Sequence, residues 1–132
     1  HLTTRRQRQM CIRDSGHAGV FRIRTMEISL IIRTSPEDAH RLTSVRCFIQ
    51  TAIEQGHTIR QCFFQSAGVM AATQPEQLSE WQQIADITHA ELLLCSQAVE
   101  EHAIDPEGPF QIGGLGALVE AAVKSDRLVS FV

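Results

Sequence analysis

The sequence predicts a single-domain α/β fold: a mostly parallel β-sheet with helices on both faces, layered as in flavodoxin-like proteins. Two observations lead to this prediction. From Met26 onward, short aliphatic and β-branched runs alternate with stretches that have helical hydrophobic spacing. The segments between them are short, which is typical of strand–helix–strand units. The chain has 132 residues, 43% of them hydrophobic, which is enough for one core and too little for two.

The first strand and helix are marked by their hydrophobic pattern and by the residues at their ends. A β-branched run predicts a strand over 27–33. Ser35 followed by Pro36 predicts a helix cap and a first-turn proline. Apolar residues then recur with helical spacing, and Gly56 is expected to end this helix in a left-handed conformation.

The rest of the chain continues the alternation of strands and helices. Further strands are predicted at 59–64, 91–94, 110–112 and 127–131. Helices are predicted at 77–88, 96–102 and 115–124. The small-residue segment 65–73 and the Asp-Pro-Glu-Gly-Pro segment 105–109 are predicted as loops.

Charge divides the chain into two parts. Residues 1–25 contain six arginines and one aspartate, a net charge of +5, whereas residues 26–132 carry a net charge of -8. Such a division predicts a tail on a folded body. The letters RQRQMCIRDS at 6–15 resemble translated sequencing-adapter sequence, so we expect residues 1–25 to be foreign to the natural protein or disordered, and the natural start to be Met26. The alternative is a basic arm that binds nucleic acid.

Composition excludes several classes of protein. The aliphatic runs are far shorter than the roughly 20 residues that a membrane-spanning helix needs. No apolar run of about 7–15 residues follows the arginines, so we expect no secretory signal. Six Phe, one Trp and no Tyr argue against stacking of single-stranded nucleic acid. The cysteines are too widely spaced for a disulfide framework or a zinc knuckle, which predicts a cytoplasmic protein.

Cys95 is the candidate reactive residue. It follows the strand predicted at 91–94 and precedes a predicted helix, and ligands gather at the carboxyl ends of parallel strands. Backbone N–H groups at a helix N-terminus favour a thiolate, which is the nucleophilic form. Cys47 falls within a helix and Cys62 within a strand, where a free cysteine is commonly a small buried hydrophobe. The alternative for Cys95 is the same buried structural role.

Basic residues are missing around Cys95 in the sequence. Between Arg60 and Lys124 there is no Lys or Arg, and nine Asp or Glu occur there. Activation of Cys95 from its own segment must therefore come from backbone dipoles or a histidine. Glu100 and Glu101 on the following helix would oppose the thiolate if they faced it. This acidic segment would also repel a nucleic-acid backbone.

Two other patterns suggest chemistry and are less favoured. A Cys-His-Asn triad is conceivable with His57 or His89, but nothing fixes its members. The glycines at 113, 114 and 116 do not fit a dinucleotide-binding loop, because the third glycine is missing and no early strand precedes them. We expect these glycines to let a helix start tight against the sheet. A phosphoacceptor or small-ligand module would need acids clustered at the strand ends, which the sequence does not offer.

Several motifs together resemble the DsrE/TusD sulfur-relay family. In chain order they are MEISLII from Met26, AIEQGH from Ala52, CFFQSAGV from Cys62, WQQ from Trp81, LLLC up to Cys95, GGLGALVEA from Gly113 and SDRLV from Ser125. The resemblance covers 26–132 in the order that the family has. It implies a DsrE-like fold, and it implies that the cysteine after the third strand, here Cys95, is the sulfur acceptor.

The resemblance also implies an activity. Cys95 would carry sulfane sulfur as a cysteine persulfide and pass it to a partner cysteine, in the TusD branch for 2-thiolation of the tRNA wobble uridine. The alternatives are a DsrE-type subunit of dissimilatory sulfur oxidation and a non-catalytic assembly subunit of the same relay. Thiol exchange needs no metal and no organic cofactor.

Partners are implied in the same way. They are sulfur-carrier donor and acceptor proteins, and two related small subunits in a heterohexamer. The acidic segment and the short aliphatic runs lead us to expect no direct nucleic-acid contact and no membrane contact. The segment 96–112 is shorter than in TusD proteins, which leaves the partner and the branch open.

Overall fold

The computed structural model describes residues 24–132, which form a five-stranded sheet in the order β4-β3-β2-β1-β5. In chain order the elements are β1 (Glu27–Ile32), α1 (Ala39–Glu54), β2 (Thr58–Phe64), a 3₁₀ helix (Ser66–Thr73), α2 (Pro75–Thr88), β3 (Glu91–Cys95), α3 (Ser96–His102), β4 (Phe110–Gly113), α4 (Leu115–Lys124) and β5 (Arg127–Phe131). All four pairings of this sheet are parallel. The predicted parallel α/β fold is confirmed.

The strand order places the helices on both faces of the sheet, as predicted. From β1 to β4 the chain moves in one direction across the sheet, so right-handed crossovers put α1, α2 and α3 on the same face. The last connection reverses and runs from β4 back past β1 to β5. A right-handed crossover in that direction puts α4 on the opposite face.

The main core lies between the sheet and the first three helices. Alternate residues of β1, among them Leu30 and Ile32, are fully buried in it. Trp81 of α2 is also fully buried, and its ring centroid lies 4.9 Å from that of Phe64 in an edge-on arrangement. On the face of α4 the helix is tied to the sheet at its end, where the Ser29 and Ser125 hydroxyls are 2.6 Å apart.

The segment predicted as a loop at 65–73 is instead a 3₁₀ helix, and Gly68 explains how it fits. The Gln65 N–H donates a hydrogen bond to the Ile32 carbonyl oxygen at 3.0 Å. A Cβ on Gly68 would lie only 2.2 Å from that same oxygen. Only glycine therefore lets this helix lie directly against the end of β1.

The predicted start of the first helix is wrong by three residues. Helix α1 begins at Ala39, and the Asp38 carboxylate accepts a hydrogen bond from the Arg41 N–H at 3.1 Å. The Ser35 hydroxyl accepts from the Glu37 N–H at 3.2 Å, which closes a turn before the helix. Both side chains are good acceptors for free N–H groups, and here the later one caps the helix. Gly56 has a φ of +87° after the helix end, as predicted.

The other predicted boundaries agree with the structure to within two residues, and those of α3, α4 and β5 agree fully. The prediction that residues 1–25 are foreign or disordered concerns a segment of which 1–23 lie outside the described residues, so it stays a prediction. In the described part of the chain, no helix has both the length and the apolar character to span a bilayer.

Candidate functional site

Cys95 lies where the connections of two neighbouring strands diverge. It is the last residue of β3 and the N-cap of α3, and it pairs in register with Gly113 at the end of β4. The chain leaves β3 toward the face of α1–α3, whereas it leaves β4 toward the opposite face. In open parallel sheets, such a divergence creates a crevice at the carboxyl ends of the two strands, where ligands bind.

A cavity of about 340 Å³ lies at this crevice. Its lining comes from the carboxyl ends of β1, β2 and β3, from α3 and from the start of α4. The lining residues are Arg33, Gln65, Ser66, Cys95, Gln97, Ala98, Glu101 and Leu115. Cys95 itself is half-buried. Its side chain therefore lines the cavity and at the same time packs against the edge of the core.

The cavity contains a cation that the sequence analysis missed. Arg33 directly follows β1, and its backbone N–H donates to the Phe131 carbonyl oxygen of β5 at 2.8 Å. No basic residue is near Cys95 in the sequence, but in the folded protein Arg33, from a distant segment, lines the same cavity. The available signal was its position as the last residue of the strand predicted over 27–33, at the same edge of the sheet as Cys95.

The cavity also contains a carboxylate. Glu101 lies on α3, as predicted, and its carboxylate accepts a hydrogen bond from the Gln97 side-chain amide at 3.5 Å. Of the two glutamates that were expected to oppose the thiolate if they faced it, Glu101 borders the same space as Cys95 and Glu100 is not part of the lining. An anionic molecule in this cavity would be repelled by the Glu101 carboxylate and attracted by the Arg33 guanidinium.

The other two cysteines of the described part lie elsewhere. Cys62 on β2 is completely buried, and this burial raises the pKa of its thiol to about 12. Cys47 on α1 is half-buried, and desolvation raises its pKa while the Arg46 guanidinium partly opposes the shift. Neither belongs to the cavity lining. Both positions, one inside a helix and one inside a strand, were predicted.

The histidines of the suggested triad lie near the amino ends of the strands, at the other edge of the sheet. The His57 Nδ1 atom accepts a hydrogen bond from the Met26 N–H at 3.0 Å. His89 ends α2 in a left-handed conformation just before β3. Neither residue borders the cavity of Cys95. Residues 24–132 contain no group of three or more His, Cys, Asp or Glu side chains that could hold a metal ion.

The glycines at 113, 114 and 116, around the start of α4, behave as expected at one position only. A Cβ on Gly113 would lie 2.9 Å from the Leu93 side chain, so this glycine brings β4 close to β3. Cβ atoms on Gly114 and Gly116 would meet no atom within 4 Å. The expected tight start of the helix is therefore correct for Gly113 and wrong for the other two.

Comparison with known proteins gives a consistent result. The model of the DsrE/DsrF-like family matches residues 26–131. The DsrE protein of Allochromatium vinosum is 31% identical over 128 residues, covering 80% of this chain and 98% of that protein. Sulfurtransferase TusD of Cronobacter sakazakii is 27% identical over 128 residues, covering 80% of this chain and 100% of that protein.

A solved structure shows the same fold. The crystal structure of the YchN protein from E. coli superposes with a TM-score of 0.67, at 16% sequence identity, covering 81% of this chain and 100% of that chain.

Proposed function

Because the chain belongs to the DsrE/DsrF-like family, we propose that it is a sulfurtransferase that carries sulfane sulfur as a persulfide on Cys95. Its relatives named TusD are sulfurtransferases, which supports a role in sulfur transfer. The persulfide on Cys95 and its transfer to a partner cysteine are the finer part of the proposal. The compartment we propose is the cytoplasm, where thiols stay reduced.

The proposed transfer has two steps that balance without an added oxidant or reductant. First, the Cys95 thiolate attacks the outer sulfur of a donor persulfide. A new S–S bond forms at Cys95, the S–S bond of the donor breaks, and the donor leaves as a thiolate. In the second step a thiolate of the acceptor protein attacks the outer sulfur on Cys95 and releases the Cys95 thiolate. Thiolate character and access govern both steps.

The observation that supports this proposal most is the location of Cys95. Among the cysteines of residues 24–132, Cys95 alone borders the cavity at the carboxyl edge of the sheet. Cys62 is sealed in the core with a pKa of about 12, so it holds almost no thiolate at neutral pH. A carrier must exchange sulfur with two other proteins, and a half-buried thiol in an open cavity meets that requirement.

We propose 2-thiolation of the tRNA wobble uridine as the pathway that the sulfur enters. The second candidate is a DsrE-type role in sulfur oxidation, which the 31% identity to the DsrE protein of Allochromatium vinosum favours over the 27% identity to TusD. Expression in a bacterium that lacks its own TusD separates the two. Restored 2-thiouridine in tRNA supports the first pathway, and persistent loss beside a functional TusD control contradicts it.

The partners in this proposal are donor and acceptor proteins and two related small subunits. One surface of α4 supports assembly with a related subunit. Leu115, Val119 and Val123 follow each other at helical spacing and are 60%, 60% and 78% exposed. Exposed aliphatic stripes commonly mark protein interfaces. Leu115 also borders the Cys95 cavity, so a subunit bound on this stripe would lie beside the sulfur-carrying thiol.

A mass measurement tests the proposed carrier residue. The purified full-length chain is incubated with a small-molecule persulfide donor, and its intact mass is then recorded. The wild type should gain about 32 Da, one sulfur atom, through thiol exchange. Cys95→Ser should lose this gain, whereas Cys11→Ser, Cys47→Ser and Cys62→Ala should keep it. A gain that survives in Cys95→Ser contradicts the assignment of Cys95, and a wild type that gains no mass supports the alternative of a non-catalytic assembly subunit.

A further inference from the structure

The cavity of Cys95 brings together two opposite charges that do not neutralise each other. Arg33 and Glu101 both belong to its lining, one from the end of β1 and the other from α3. No ion pair joins them, and among residues 24–132 the Arg33 guanidinium has no carboxylate partner. The Glu101 carboxylate is instead hydrogen-bonded to Gln97 on its own helix. Both charges therefore remain available to a molecule that enters the cavity.

The backbone of Arg33 is fixed by a hydrogen bond, whereas its side chain is exposed. Its backbone N–H is fixed by the hydrogen bond to the Phe131 carbonyl, and the next residue, Thr34, is buried. Its side chain is exposed. A guanidinium stays protonated at every pH that a protein tolerates and offers five N–H donors. Because its backbone is fixed and its side chain is flexible, Arg33 is suited to bind an anionic group.

We propose that Arg33 is the specificity residue of the Cys95 site and that it selects sulfur donors with a negatively charged group next to the sulfane sulfur. This inference rests on the proposed function, in which Cys95 attacks such a donor. During the attack, negative charge moves from the Cys95 sulfur to the leaving sulfur of the donor. A guanidinium beside the cavity stabilises both the approaching anion and the departing thiolate.

Disulfide reagents of different charge test the inference, because their exchange with a thiolate breaks and forms the same kind of bond. The probes are dianionic 5,5′-dithiobis(2-nitrobenzoate), neutral 2,2′-dithiodipyridine and dicationic cystamine. Second-order rates are measured at low ionic strength on the full chain carrying Cys11→Ser and Cys47→Ser, so that the signal comes from Cys95. The variants are Arg33→Gln, Arg33→Lys and, as a matched control, Arg127→Gln at the amino end of β5.

Arg33→Gln should slow the dianionic probe by about 3- to 10-fold, change the neutral probe by less than about 2-fold and speed up the dicationic probe. Arg33→Lys should restore most of the rate, since the charge returns, and Arg127→Gln should match the parent. An equal slowing of all three probes, or no change with any of them, overturns the inference.

The outcome is separable from that of the proposed function. Loading of Cys95 with sulfur but no charge selectivity overturns the role of Arg33 and leaves the carrier proposal standing. Charge selectivity at Cys95 without any loading by the persulfide donor supports Arg33 as an anion-recognition residue and contradicts the carrier proposal.

Discussion

Gly68 and Ile32 approach each other so closely that no side chain fits between them. A Cβ on Gly68 would lie 2.2 Å from the Ile32 carbonyl oxygen. This is a backbone atom, so no side-chain rotation can relieve the clash. The same oxygen accepts a hydrogen bond from Gln65, so the ends of β1 and β2 are joined at one point. Arg33 follows that point on one side and Gln65 and Ser66 on the other, and all three border the cavity. This contact therefore shapes the site.

Gly68→Ala should destabilise the protein by about 2–4 kcal/mol, because the added methyl group forces the 3₁₀ helix away from β1. Urea denaturation measures the free energy of unfolding. Gly116→Ala is the control, since a Cβ there meets no atom within 4 Å and alanine favours a helix over glycine by about 0.5–1 kcal/mol. Equal stability of the two variants would contradict the role of this contact.

The buried thiol of Cys62 should make stability depend on alkaline pH. Because burial raises its pKa from 9.0 to about 12, the folded protein keeps a proton that the unfolded chain loses above about pH 9. The free energy of unfolding therefore keeps the full contribution of the protonated Cys62 thiol below about pH 9. Between about pH 9 and about pH 12 it falls by about 1.4 kcal/mol per pH unit.

The check compares the wild type and Cys62→Ala by urea denaturation at neutral and alkaline pH. The variant should be less stable at neutral pH, because it leaves a small cavity, but should lose less stability on going to alkaline pH. Parallel losses in both proteins would show that Cys62 does not cause the dependence.

Removing the charge of Glu101 should have the effect opposite to removing that of Arg33. Glu101→Gln keeps the shape and the contact with Gln97, but it removes repulsion between the cavity and an anionic reagent. The rate of the dianionic disulfide probe at Cys95 should rise by about 2- to 4-fold, and the rate of the neutral probe should stay nearly constant. Glu100→Gln, one residue earlier and outside the cavity lining, is the matched control. If the rate rose as much with Glu100→Gln as with Glu101→Gln, the net charge of the protein, and not the position of Glu101 in the cavity, would cause the effect.

Val119→Asp should weaken assembly without unfolding the protein. Val119 is 60% exposed on α4, so a charge there leaves the core intact but interrupts the aliphatic stripe. Light scattering during gel filtration gives the mass of the chain mixed with the two related small subunits. Ile87→Asp, at a position on α2 that is 66% exposed, should assemble normally. A complex of full mass with Val119→Asp would exclude this stripe as the interface.

Local signals predicted most of the fold. The alternation of aliphatic runs and helical spacing, together with Gly56, located every strand and the long helices. The 3₁₀ helix was missed because it depends on the contact of Gly68 with Ile32, and no local pattern shows a contact between distant segments. The start of α1 was misplaced because Ser35 and Asp38 are both good capping residues, and their choice depends on how the chain leaves β1.

In the candidate site, too, one residue could be predicted from local sequence and another could not. Cys95 was predictable because its position at a strand end depends on one strand and one helix only. Arg33 was not, because its place beside Cys95 depends on the order of strands in the sheet. A sequence predicts that two residues lie at the same edge of a parallel sheet, but the strand order decides which of them share a cavity.

Transfer of sulfur in a single turnover tests whether Cys95 is the carrier residue. The protein is loaded with a persulfide donor, freed of excess donor and mixed with glutathione, and alkylated peptides of both species are followed by mass spectrometry. The added sulfur should be found on the peptide of Cys95 and should then leave it as glutathione persulfide appears in equal amount. Sulfur found on Cys47 instead, or a Cys95 peptide that never gains sulfur, would contradict it.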